Sequence, residues 1–241
     1  MAIFRLTMKL IMVIVISTLI YKLRKKMKKL ISIISLLFFV TTFSAKAEMG
    51  IGITAAAHMF DGSGSETMRQ SAEVKNGSLD ETVVIPEVFV EAIDDNGLTV
   101  GLSYVPVREL GAKSRTDSNS EGTSGTYKAD AELANVVQLY ADIPTGTLGS
   151  FPIHTKLGIQ RVTVDTLESL NSGSEYPNRD LMGFTVGLGT KGDLPFGNNL
   201  YYKGEFTYTN FETYEAVSTA GNKVVADLED YAAKLSIGYK F

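Results

Sequence analysis

The sequence predicts an all-β protein, an eight-stranded antiparallel up-and-down transmembrane β-barrel with four long outward loops and three short periplasmic turns. Three observations predict it. A secretion signal precedes the strands, period-two alternation recurs eight times after residue 48, and the chain closes on an amphipathic strand. No convincing amphipathic helix occurs after the signal, so residues 48–241 are expected to form one barrel domain.

The closing strand carries the clearest pattern in the chain. One of its faces holds Tyr231, Ala233, Leu235, Ile237, Tyr239 and Phe241. The other face holds Ala232, Lys234, Ser236, Gly238 and Lys240. A soluble protein would seldom stop on its most apolar face with a free carboxylate, so this strand favours a membrane barrel.

The N-terminus resembles a secretory leader at residues 27–47. A basic start at 27–29 leads into an apolar run at 30–43, and Ala45 and Ala47 are the small residues that signal peptidase requires. Cleavage is expected after Ala47. The apolar run of about 14 residues is too short for a transmembrane helix, which needs about 20.

Residues 1–26 contain a second short apolar run followed by basic residues. They are expected to be an upstream extension produced by a misassigned start, with translation beginning at Met27. A membrane-inserted helix or a longer basic n-region of the leader remains open as an alternative. Mass spectrometry of the mature protein distinguishes these cases.

Charge and cysteine content exclude several functions. Residues 1–47 hold nine of the 23 Lys and Arg residues and none of the 27 Asp and Glu residues, which leaves the mature chain near −13. Such a charge argues against a nucleic-acid partner, which requires clustered positive charge. The absence of cysteine excludes disulfides, zinc–thiolate sites and cysteine nucleophiles.

Eight strands and two kinds of connection alternate along the mature chain. The predicted strands lie near 49–60, 83–93, 98–107, 131–143, 153–167, 181–191, 199–212 and 229–241. The long polar connections lie at 61–82, 108–130, 168–180 and 213–228. The short ones lie at 94–97, 143–149 and 191–197, the first being an Asp-Asp-Asn-Gly turn.

The strand faces separate apolar side chains from glycines and charges. The glycine- and charge-bearing face suits the narrow lumen of eight strands, which leaves room only for side chains. A soluble barrel with the opposite orientation is the alternative. Four acids and four bases are therefore expected to form a cross-barrel network of ion pairs: Glu87, Glu91, Asp142, Lys156, Lys203, Glu205, Lys234 and Lys240. Its expected hydrogen-bonding neighbours are Gln138, Gln160, Thr185 and Ser236.

Other candidate sites are weaker. His58 and His154 are the only histidines, and their positions near opposite strand ends predict opposite rims of the barrel, which would prevent one shared site. Residues 61–66 offer oxygen ligands at alternate positions but lack the closing Glu of a calcium loop, so a solvated loop is expected. No catalytic residue, metal ligand or cofactor is predicted.

The chain resembles the small bacterial outer-membrane β-barrel family, which includes the transmembrane domain of OmpA and the Opa-type adhesins. The resemblance covers residues 48–241 and is carried by the 231–241 strand, the Ala45-Lys46-Ala47 cleavage site and the strand order. In that family the closing strand is read by the barrel-assembly machinery, which implies an assembly signal at Tyr231, Leu235, Ile237, Tyr239 and Phe241. The partners so implied are periplasmic chaperones and the assembly machinery, outer-membrane lipid and lipopolysaccharide.

The resemblance implies a cell-envelope function in the outer membrane of a Gram-negative bacterium. A structural or adhesive function through the outward loops is expected, because such loops on a rigid scaffold often carry recognition. A narrow channel or small-solute carrier is the first alternative, and a lipid-modifying barrel enzyme the second.

Overall fold

The computed structural model describes residues 47–118, 124–169, 175–195 and 199–241. Ten β-strands occupy most of these ranges. They are β1 Glu48–Thr67, β2 Val74–Ile93, β3 Thr99–Val105, β4 Arg108–Ser118, β5 Ser124–Leu148, β6 Phe151–Ser169, β7 Arg179–Asp193, β8 Leu200–Phe211, β9 Tyr214–Val217 and β10 Lys223–Lys240. Among the described residues there is no helix long and apolar enough to cross a membrane.

The strands close into one antiparallel barrel. The hydrogen-bonded order is β1-β2-β3-β5-β6-β7-β8-β10, and β10 returns to pair with β1 from Gly50↔Lys240 to Thr67↔Lys223. Both β3 and β4 pair with β5, and both β8 and β9 pair with β10, so each of these couples is one interrupted barrel strand. The predicted eight-stranded up-and-down barrel is confirmed.

Tight turns join the strands at the end where β1 begins and β10 ends. Gly97 takes a φ of +81° in the first turn, where the Asp94 amide donates to the Leu98 carbonyl at 2.8 Å. Gly149 takes a φ of +63° in the second. A positive φ costs glycine little, because it has no Cβ. These glycines therefore allow the short connections at this end of the barrel.

At the opposite end the predicted loop bounds are wrong. β1 continues to Thr67 and β2 begins at Val74, so residues 61–67 and 74–82 form a ladder where a 22-residue loop was predicted. Likewise, much of 108–130 belongs to β4 and β5. These segments are polar on both faces, and ladder hydrogen bonds still satisfy the backbone there. The period-two rule detects only strands that have one apolar face, so it missed these extensions.

The outer surface of the barrel is apolar. Every one of the eight barrel strands contributes exposed apolar side chains, and Val84, Phe206 and Leu235 reach 74%, 75% and 73% exposure. The predicted glycine- and charge-bearing face points inward. An outward apolar band on a closed barrel is typical of a protein that is solvated by lipid.

The interior has two layers of different chemistry. Charged and polar side chains fill the half near the tight turns. The half near the long hairpins holds the upper apolar cluster: Phe60, Ile85, Val105, Leu133, Val136, Val162, Leu181, Phe211, Tyr214 and Ala216. Glycines give aromatic rings room against the wall, as at Gly101, where an added Cβ would overlap the Tyr140 ring.

Candidate functional site

Lys203 on β8 lies at the centre of a buried charged layer. Its Nζ is 3.0 Å from Glu91 Oε2, 2.8 Å from Asp142 Oδ2 and 3.7 Å from Glu205 Oε1. Lys156 on β6 lies beside it, 2.9 Å from Asp142 Oδ1 and 3.0 Å from Glu205 Oε1. The Asp142 oxygens are paired by charge at these distances, but neither has a well-angled hydrogen bond. Four strands therefore meet across the lumen through these five side chains.

Lys191 completes this layer, although it was not among the predicted residues. Its Nζ is 2.7 Å from Glu91 Oε1 and donates to Thr99 Oγ1 at 2.9 Å. Tyr140 Oη donates to Glu91 Oε2 at 2.7 Å. Lys191 is the last residue of the predicted strand 181–191, so it could equally have been a turn residue. On β7 every second residue up to Gly189 faces inward, and the same alternation places Lys191 in the lumen.

His154 also joins this layer. Its Nε2 is 3.0 Å from Glu205 Oε1 and 4.0 Å from Asp142 Oδ1. The ligand atoms of these three residues lie within 4.8 Å of one another, a spacing that suits a metal ion. The ammonium groups of Lys156 and Lys203 already neutralise both carboxylates. A metal ion at this position would lie beside two ammonium groups. The three residues therefore suit the ion pairs with lysine better than a metal ion.

A second charged group lies on β1, β2 and β10. His58 Nδ1 is 2.9 Å from Asp230 Oδ2, and its Nε2 is 3.2 Å from Glu87 Oε1. Lys234 Nζ donates to Glu87 Oε1 at 2.7 Å. Both ring nitrogens face carboxylates, which only the doubly protonated imidazole satisfies with two donated hydrogen bonds. Two acids then balance two cations.

The sequence predicted that the two histidines lie at opposite rims of the barrel. This is wrong for His58, because β1 continues beyond it to Thr67, whereas His154 is the fourth residue of β6. Both imidazoles are buried in the interior. They contact different carboxylates and share no site. Asp230 was also missed, since its strand was predicted to begin only one residue earlier.

Hydrogen-bonding side chains fill the rest of the polar interior. Gln138 Nε2 donates to Thr185 Oγ1 at 2.8 Å and to Gln160 Oε1 at 3.4 Å. Thr54 and Ser236 hydroxyls lie 2.7 Å apart. The remaining predicted network residue, Lys240, lies apart from this layer. It pairs at the barrel end with Asp193 at 2.8 Å and with Glu48 at 3.5 Å.

The residues of the expected assembly signal point outward on β10 and at Phe241, which directly follows it. All five are exposed: Tyr231, Leu235, Ile237, Tyr239 and Phe241. In the closed barrel β10 pairs on one side with β8 and on the other with β1. A protein that pairs with the backbone of β10 must therefore act before the barrel closes. That these five residues form an assembly signal remains a prediction. Of the expected cleavage residues, Ala45 lies outside the described residues and Ala47 directly precedes β1.

No protein-family model matches this chain, and no curated protein matches it. Solved structures do. OprG from Pseudomonas aeruginosa is similar with 15% identity over 80% of this chain and 96% of that one, at a TM-score of 0.53. This chain has the fold of an outer-membrane β-barrel. Neisserial surface protein A aligns over 80% of this chain and 97% of that one, with 12% identity and a TM-score of 0.41. Ail, the attachment invasion locus protein of Yersinia pestis, aligns over 79% and 99%, with 12% identity and a TM-score of 0.37.

Proposed function

We propose that this chain is a non-conducting barrel of the Gram-negative outer membrane that presents rigid hairpins at the cell surface for attachment or envelope structure. The charged layer is the observation that supports the closed lumen. Lys203 reaches carboxylates on β2, β5 and its own strand, so one side chain bridges the barrel interior. The cavity that Lys156, Lys203 and Glu205 line has a free volume of about 10 Å³. That is at most the room for one water molecule.

A channel would require a continuous row of water through both interior layers. Above the charged layer lies the upper apolar cluster, in which Val162 is fully buried and Phe60 nearly so. Water has no hydrogen-bonding partner beside such side chains. Two closed layers in series therefore argue against conduction.

The outward hairpins are held to one another by side chains. Glu66 at the end of β1 accepts hydrogen bonds from Tyr176 Oη at 2.8 Å and from Asn222 Nδ2 at 3.2 Å. Tyr214 Oη donates to the Pro177 carbonyl at 2.9 Å. Three of the outward segments, those at Glu66, at 176–177 and at 214–222, are thus connected. Such a surface suits recognition of a ligand on a preorganised scaffold.

The contacts of the two buried histidines give little support for a catalytic function. In the described part of the chain, the hydrogen bonds of His58 and His154 all go to carboxylates. Neither imidazole is within hydrogen-bonding distance of a serine or threonine hydroxyl there. An activated nucleophile requires such a contact with its base.

Two measurements on the purified and the cellular protein test this proposal. In planar bilayers the wild-type barrel is expected to give no single-channel steps above the lipid background. Regular steps that disappear in a variant with a bulkier lumen residue would instead support the channel alternative.

Attachment is tested by shortening one hairpin in register. Removing residues 63–78 and joining Gly62 to Leu79, which are paired across β1 and β2, through a two-residue turn keeps the barrel ladder below. The matched control removes 115–127 and joins Ser114 to Lys128. Loss of binding of intact cells to a glycan array or host-cell layer in one variant supports surface recognition. Unchanged envelope integrity and binding in both variants contradicts it.

A further inference from the structure

The barrel wall itself brings the side chains of Asp142 and Lys156 together. The two residues are direct partners in the β5–β6 ladder, and both side chains are buried in the lumen. Residues that lie directly opposite each other in an antiparallel pair have Cβ atoms about 4.5–5.5 Å apart. Lys156 Nζ is 2.9 Å from Asp142 Oδ1. The strand register therefore holds an amine against a carboxyl group without a mobile loop.

This contact is short, but it is not an aligned ion pair. Neither carboxylate oxygen of Asp142 has a well-angled hydrogen bond. The carboxyl carbon is one bond away from the oxygen that Lys156 contacts, and reacting atoms in near-attack arrangements lie about 3–3.5 Å apart. The arrangement therefore resembles a nucleophile beside an acyl carbon.

Three neighbouring groups occupy the positions that amide formation requires. Glu205 Oε1 is 3.0 Å from Lys156 Nζ, within reach of an ammonium proton. Lys203 Nζ is 2.8 Å from the second carboxyl oxygen of Asp142, Oδ2, where a tetrahedral intermediate carries negative charge. His154 Nε2 is 3.0 Å from Glu205 Oε1 and 4.0 Å from Asp142 Oδ1. A base, an oxyanion partner and a proton relay thus surround the pair.

We propose that Lys156 and Asp142 condense to an intramolecular amide, a covalent link between β5 and β6 inside the lumen. Glu205 takes a proton from the Lys156 ammonium, and the freed Nζ lone pair attacks Asp142 Cγ. Lys203 stabilises the oxyanion that forms at Oδ2. Oδ1 takes up the two protons that Nζ loses, which arrive through Glu205 and His154, and the Cγ–Oδ1 bond breaks as water leaves. One ammonium and one carboxylate become one secondary amide and one water molecule.

The buried surroundings favour this product. A buried ion pair has lost the hydration of both ions, whereas the amide carries no charge. The reverse reaction consumes water, and the cavity that Lys156, Lys203 and Glu205 line has room for at most one water molecule, at about 10 Å³. The centroid of the Tyr140 ring lies 3.5 Å from Lys156 Nζ and covers the pair further. The condensation removes one acid and one base, so the charge balance of the layer is unchanged.

Peptide mass mapping of the wild-type barrel, extracted from outer membranes and unfolded, tests the proposal. Trypsin cuts after lysine and arginine, and Lys156 is the one internal site between Lys128 and Arg161. An amide at Lys156 blocks that cut. The expected product is peptide 129–161, lighter than its sequence mass by one water molecule and without fragment ions from breaks between residues 142 and 156. A digest in which Lys156 is cut and peptide 129–156 has its sequence mass overturns the proposal.

Other losses of water do not imitate this result. Cyclisation of an N-terminal Glu48 lies outside the peptide, and a succinimide at Asp142 leaves Lys156 open to trypsin. Lys234 is the internal control, because it donates a hydrogen bond to Glu87 at 2.7 Å. Trypsin is expected to cut after Lys234. A block at both lysines would mean that contact with a carboxylate is sufficient, which overturns the assigned chemistry.

Variants test the assigned roles, and each is scored only if heat-dependent gel mobility shows that it folds. Lys156→Arg keeps the positive charge but cannot lose a proton, so peptide 129–156 is expected at its sequence mass. Glu205→Gln removes the base and is expected to lower the linked fraction at least tenfold shortly after refolding in detergent. Lys191→Met removes a lysine that pairs with Glu91 instead, and it is expected to keep the link.

Two outcomes of this series contradict the assigned roles. An unchanged linked fraction in Glu205→Gln overturns the proton path. An equal loss of the link in Lys191→Met overturns the specific roles, because any disturbance of the layer would then prevent the bond. The wild-type digest needs no variant, so it decides whether the bond exists even if a variant does not fold.

Discussion

Replacing Lys203 by methionine removes the ammonium at the centre of the charged layer. Methionine has similar length, so the change affects charge more than packing. Lys203 is 3% exposed and contacts Glu91, Asp142 and Glu205. Water does not replace the lost partner at this depth.

The remaining contacts give the magnitude. Without Lys203, Glu91 keeps Lys191, while Asp142 and Glu205 share Lys156. Three carboxylates then face two lysines, which leaves one buried negative charge without a partner. Removing one partner of a buried ion pair typically costs about 3–5 kcal/mol, and this is the expected loss in the free energy of unfolding.

The assay is urea unfolding in detergent, followed by far-ultraviolet circular dichroism. Lys223→Met is the matched control, because its pair with Glu215 spans 4.0 Å with side chains 56% and 63% exposed. That exposed pair is expected to contribute at most about 1 kcal/mol. Asp142→Asn added to Lys203→Met restores the charge balance, so the double variant is expected to lose less than the two single losses combined.

The reasoning about the charged layer is refuted by either of two results. One is a Lys203→Met loss no larger than that of the control, since the layer would then be hydrated. The other is strict additivity in the double variant, since Lys203 and Asp142 would then act independently.

Three further predictions concern the wall, the closing strand and the hairpins. Gly101→Val forces a side chain into the Tyr140 ring, and this overpacking is expected to cost about 1–3 kcal/mol in the same unfolding assay. In a Tyr140→Ala background the cost of Gly101→Val should be smaller, and an equal cost in both backgrounds would contradict the contact. Deleting Phe241 is expected to lower the outer-membrane yield on immunoblots of membrane fractions, because the closing strand pairs along its edge during assembly; unchanged yield rules out a signal at that residue. Protease added to intact cells should cut at 68–73 and spare the paired residues of β1 and β2, as mapped by mass spectrometry; rapid cutting within the paired residues would mean that the hairpin is not formed.

Much of the wall could be predicted from the sequence. Side chains on these strands alternate between an apolar and a polar face, and this pattern alone grouped apolar residues such as Leu235 and Phe206 on one face. The glycines and charges of the other face, which suit a narrow lumen, then indicated that the apolar face is the outer one. The same assignment placed Lys203 and Glu205 inside. The outward continuation of β1 and β2 could not be predicted in this way, because both faces of that hairpin are polar.

The sequence by itself predicted the number of times the chain crosses the wall and, for strands with one apolar face, which side chains share a face. The tertiary structure alone decided which charges meet: Lys191 with Glu91, and His58 with Asp230 and Glu87. Alternation with a period of two residues shows whether a side chain faces inward or outward, but it does not show the position of that side chain along the barrel axis. That position depends on the stagger between neighbouring strands, which is set only when the ladders form and the barrel closes. The same stagger decided that the β2–β3 ladder ends at Val88, beside the upper apolar cluster.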